Sequence, residues 1–108
     1  MTDIKESDWK TFRKLHPIAL NRFCQRVLED TNRIIANQDQ TAHEKYLAIY
    51  KLIHDNDKEI QQTFDDLRRS TAILKLAIML RLGLITEDEL RRFSDETQDL
   101  LNRMRNWS

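Results

Sequence analysis

Glycine and proline are almost absent from this chain of 108 residues, which holds only Gly83 and Pro17. A sheet protein needs turn residues every few positions, and hairpins draw heavily on glycine. This chain cannot supply them, so an all-α fold is expected. A single glycine also excludes a glycine-rich phosphate loop. Cysteine is equally scarce: Cys24 stands alone and can form no internal disulfide. His16, His43 and His54 show neither H-x-x-x-H nor H-E-x-x-H spacing, and no cysteine pair supports them. No metal site and no cofactor are expected. The opening "MTDIKESDWK" has no apolar core of the kind a signal peptide carries. With the lone cysteine, this points to the cytoplasm. No apolar run reaches the roughly 20 residues that span a bilayer, so no membrane partner is expected.

An excess of one charge is missing too. The 18 basic residues are balanced by 18 acidic ones. No global field draws the protein to nucleic acid or an anionic membrane. A neutral protein also self-associates more easily than a charged one. Asp55, Asp57 and Glu59 alternate like calcium-loop ligands. The loop's glycine is missing, and Asp66 stands where the bidentate glutamate belongs, so a solvated helix end is expected. Cys24 flanks an apolar stripe and reads as a core residue. Enzymatic function is not expected.

What the chain does have is helical periodicity. Ser7 can cap a first short helix, 7–15, with Trp9, Phe12 and Leu15 on one face. Pro17 disfavours helix at His16 and suits a first helical position, so a second helix is expected from 17 to about 37. Its stripe is Leu20, Phe23, Val27, Thr31 and Ile34, flanked by Cys24, Leu28 and Ile35. "TAHE" at 41–44 is a capping-box pattern, followed by a stripe of Tyr46, Ile49, Tyr50 and Ile53. An unbroken helix would turn Asn56 and Asp57 toward the core, so a break at 55–57 and a short helix 57–67 are expected. Thr86 with Glu89 repeats the capping box, and Ser94 is placed to kink or re-cap the last helix.

The most apolar stretch is "STAILKLAIMLRLGLI", residues 70–85. A helix apolar almost all round is buried on most sides. The expected architecture is a single domain, 1–108. It is a compact bundle of five to six helices around a central helix at about 71–82, with 1–6 as a flexible N-terminus. Gly83 is the expected C-terminal cap. The expected core includes Leu74, Ile78, Phe64, Phe23, Val27 and Phe93.

Two surfaces stand out. Met79 lies on the narrow polar strip of helix 71–82 with Ala72 and Lys75, and Arg81 falls outside it; the two are candidates for the border of a protein-interaction surface. Arg22, Arg26 and Arg33 lie opposite their helix's apolar stripe, with Asn21, Gln25 and Asn32 nearby. Such a face can dock on phosphates and reach bases. Five bases and no acid occur from Lys10 to Arg26. The leading expectation is a protein–protein interaction module (adaptor, regulator or inhibitor) whose partner is another protein or a second copy in a homodimer. The alternative is a nucleic-acid-binding accessory protein using the three arginines.

Overall fold

The structure is a computed structural model and describes residues 4–106. Its described residues are all-helical and contain no strand. The α-helices are α1 (Glu6–Ala36), α2 (Ala42–Phe64), α3 (Ala72–Arg81), α4 (Glu87–Leu90) and α5 (Asp95–Arg105), with a 3-10 turn at Arg69–Thr71. Helices α1 and α2 form a long antiparallel hairpin. The shorter helices pack on its open end as a head. The outline is 52 × 26 × 24 Å, with a radius of gyration of 16.7 Å. A compact chain of this length would have about 13 Å. The expected compact bundle is therefore corrected to an elongated one.

The reason lies in α1, which runs through Pro17 without a break for 31 residues, about 46 Å. An interior proline gives up one helix hydrogen bond and costs about 3 kcal/mol. Here the helix is held on both sides of it. Phe12 and Leu15 before it, and Ala19, Phe23 and Val27 after it, are all buried in one row. The His16 ring adds a tether, its Nε2–H donating to the Phe64 carbonyl at 2.8 Å. The expected two helices, 7–15 and 17–37, are one because tertiary packing outweighs the local preference of proline. The expected flexible N-terminus divides in two. Ile4 is buried, and its carbonyl accepts from Arg69 at 2.8 Å. Residues 1–3 lie outside the described residues.

Helix α2 is also continuous, so the expected break at 55–57 is absent. Asn56 does not cap a new helix. Its Nδ2 donates back to the Leu52 carbonyl at 2.8 Å. Asp57 is exposed. The unbroken helix leaves neither polar group buried and unpaired, because Asn56 is only half-buried with its amide satisfied inside the helix and Asp57 reaches solvent. The Thr41 capping box is present as expected: Thr41 Oγ1 accepts from the Glu44 amide, and Glu44 accepts from the Thr41 amide.

Gly83 ends α3 as expected, with φ +71°. The Leu84 amide donates to the Met79 carbonyl at 2.9 Å and the Gly83 amide to the Leu80 carbonyl at 3.0 Å. This is the two-bond cap that only a left-handed residue closes, and Leu84 and Ile85 fold back into the core beyond it. Gly83→Ala should cost about 1 kcal/mol, because alanine strains at positive φ. Denaturant unfolding measures it, and an unchanged midpoint would contradict the role of the cap.

Two expected core residues are corrected. Leu74 is 56% exposed, and Ile78 is half-buried. Leu76 and Met79 fill the core instead, both at 0%. Helix α3 packs on α5 and less extensively on α1 and α2, which leaves the Leu74 side open. Phe23, Val27, Phe64 and Phe93 are buried as expected.

Candidate interaction surface

The core is confined to one end of the molecule. From residue 28 to residue 62, all of them described, none is buried. The outer part of the hairpin has only two helices, and two helices cannot enclose their own apolar stripes. Leu28 and Ile35 on α1 are exposed, and so are Tyr46, Leu47, Tyr50 and Ile53 on α2. Leu28 is 59% exposed and Tyr50 65%. Scattered single apolar residues on a surface are ordinary, but a contiguous row of this size marks a contact site. Tyr50 stacks on His54 with ring centroids 6.1 Å apart. A groove of about 200 Å³ runs along the hairpin, floored by Cys24, Val27, Leu28, Ile53 and Ile60, with Asn56 and Asp57 at its edge.

Local interactions hold this hairpin in shape. The Lys45 ammonium donates to the Ile35 carbonyl at 2.7 Å, which closes the C-terminal end of α1. The Asn37 side chain accepts from the Asp39 amide and shapes the turn. The Lys51–Asp55 pair lies one turn apart on the exposed side of α2. It favours the ionised form of Asp55 and of Lys51 alike.

The residues singled out from sequence sit elsewhere. Met79 is wholly enclosed by the chain's own helices, so it is core rather than the border of a surface. Sequence placed it wrongly because the helix turned its Leu74 side, not its Met79 side, to solvent. Arg81 is exposed. The three arginines do not form a free strip. Arg22 spans the gap to α4, donating to both Glu89 oxygens at 2.6 and 2.9 Å and to the Leu84 carbonyl at 2.8 Å. Arg26 donates to the Leu82 and Gly83 carbonyls. Together the two arginines satisfy three successive carbonyls just past α3, where the helix dipole favours cations. Arg33 pairs with Asp30 on its own helix.

The junction between hairpin and head is ionised at neutral pH. The Arg22 guanidinium holds the Glu89 carboxyl down at about 2. Burial opposes the shift, and the Thr86 hydrogen bonds add to it. At the head's far end the buried Asp8 accepts from the Ser94 amide and hydroxyl and from the Thr97 hydroxyl, at 2.7–2.8 Å. Burial pushes that carboxyl up, but the Ser94 and Thr97 hydrogen bonds outweigh it and hold it below its usual value. Ser94 thereby caps α5 and ties it to α1, as its re-capping position suggested. These are structural joints rather than reactive groups. Among the described residues no three His, Cys, Asp or Glu side chains converge as metal ligands, and no helix is long and apolar enough to cross a membrane.

Hairpin and head together define a class of small all-α protein: two long antiparallel helices carrying a cluster of short ones at their open end. No protein-family model and no curated protein matches the sequence. The fold is that of the Fluorescence Recovery Protein from Synechocystis sp PCC 6803, with a TM-score of 0.77 over 93% of this chain and 95% of that one, at 18% identity. A point mutant of the same protein superposes equally well. The shared feature is the fold.

Proposed function

We propose that this chain is a protein–protein interaction module of the regulator or adaptor kind, and that it works as a homodimer joined through the outer α1–α2 hairpin. The uncovered apolar row from Leu28 to Ile53 carries this reading. A second copy is the occupant the geometry favours. A two-helix layer closes best on another two-helix layer of equal length, and two hairpins related by a twofold axis make a four-helix bundle. The row spans residues 28–35 of α1 and 46–53 of α2, about 12 Å of each helix, so two copies would meet along the outer turns of the hairpin. The net charge of zero offers no long-range repulsion between copies.

The regulator part of the reading draws support from the protein that shares the fold. Its name describes the recovery of fluorescence and no reaction. A rigid hairpin with an apolar face suits binding rather than catalysis. The interaction surface moves from Met79 and Arg81 to Leu28, Ile35, Tyr46, Leu47, Tyr50 and Ile53.

Sedimentation tests the proposal. The wild type should run as a dimer at tens of micromolar. Leu47→Glu with Tyr50→Glu should run as a monomer with its helical circular dichroism largely kept, since both residues are exposed within one chain. A monomeric wild type would overturn the dimer, as would a double variant that still dimerises.

A further inference from the structure

We propose that Lys10, Arg13 and Lys14 form a second docking site, one that takes an acidic segment of a partner protein. The three cations stand at i, i+3 and i+4 on the exposed side of α1 and line a shallow depression of about 370 Å³. Like charges at these spacings repel and weaken a helix. Here the natural partners are engaged. Glu6 stands one turn before Lys10 but is held by Arg69 at 2.7 Å. Asp8 is buried and turned to Ser94 and Thr97. The next acid along the helix is Glu29. Among the described residues none of the three cations forms an ion pair.

The site is also held in place. Phe12 and Leu15, on the opposite side of the same turns, are fully buried. The Arg13 guanidinium lies 6.0 Å from the Trp9 ring centroid, which holds it against that ring. Two or three carboxylates spaced along one peptide would relieve the repulsion and gain charge-assisted hydrogen bonds. Three cations are few for other polyanions. Clusters that recognise anionic lipid carry about 4–8. Duplex binding with about three phosphate contacts is weak at physiological salt. The site lies about 20 Å along α1 from Leu28, so it leaves the hairpin face free. A dimer would carry two such sites.

The test uses the full chain with Trp107→Phe, so that Trp9 is the one emitting indole. An oligoglutamate peptide of about eight residues serves as the probe, long enough to reach all three cations. Trp9 emission should change saturably, with an affinity that falls as salt rises from about 50 to about 200 mM. Lys10→Glu with Arg13→Glu should weaken binding by about tenfold or more. Lys58→Glu, a cation outside the cluster, should leave it unchanged. The proposal fails if neither emission nor calorimetric heat reports binding, or if the double variant binds as the wild type does. It also fails if a duplex oligonucleotide or an anionic vesicle binds more tightly than the peptide. Sedimentation of the same samples separates this outcome from failure of the hairpin dimer.

Discussion

Glu89→Gln should lower stability at neutral pH by about 3 kcal/mol, and the loss should vanish in acid. Glu89 does three things at once. It accepts the Thr86 amide in a capping box, it receives both arms of Arg22, and it is buried while doing so. Its carboxyl is ionised down to about 2, against 4.5 for a free group. A lowered carboxyl stabilises the fold wherever the unfolded group is also ionised. The gap corresponds to about 3 kcal/mol, fully present above about pH 4.5 and lost as pH falls toward about 2. Asp8 shifts in the same direction, so the wild type should weaken on acidification through both joints. Denaturant unfolding of wild type and variant at pH 7 and again below pH 3 checks the sign and the size. Glutamine keeps the shape and one acceptor but turns its amide donor toward Arg22 or Thr86, so the pH dependence of the difference is what reports the charge. A difference that stays constant across that range would mean that the pair contributes by packing alone.

Leu76→Ala should cost about 2–5 kcal/mol, and Leu74→Ala, two residues away on the same helix, should cost well under 1 kcal/mol. Leu76 is fully enclosed, and its loss removes apolar burial and leaves a cavity. Leu74 is 56% exposed and has little burial to lose. The two residues are chemically identical and share one helix, so propensity cancels. Thermal or denaturant unfolding of both variants decides which face of α3 is inside. Equal losses would mean that the Leu74 side is also covered.

Much of the local structure was written in short-range chemistry. Near-absence of glycine and proline excluded sheet. The Thr41 and Thr86 capping boxes, the Gly83 cap and the Ser94 re-cap are each fixed by a few adjacent residues, and all are present in the structure. The features that went astray are those whose outcome depends on what lies opposite. Pro17 stays inside α1 because Phe12, Leu15, Ala19 and Phe23 are anchored on both sides of it. Asn56 and Asp57 stay inside α2 because Asn56 bonds the Leu52 carbonyl of its own helix and Asp57 faces solvent.

The candidate site shows the same division. Tyr46, Ile49, Tyr50 and Ile53 are legible as an apolar stripe from sequence alone. Periodicity reports that a face is apolar, because it follows from helix geometry. It does not report whether that face meets the chain's own core or another molecule. The arginines are legible as a basic face, yet only the fold brings Leu82, Gly83, Leu84 and Glu89 within reach of Arg22 and Arg26. By itself the sequence determined helices, caps and apolar faces, because those depend on residues within one or two turns. Tertiary structure alone decided that Met79 is enclosed while Leu74 and the hairpin face are open. Burial is a property of pairs of elements, and no single element encodes its own partner.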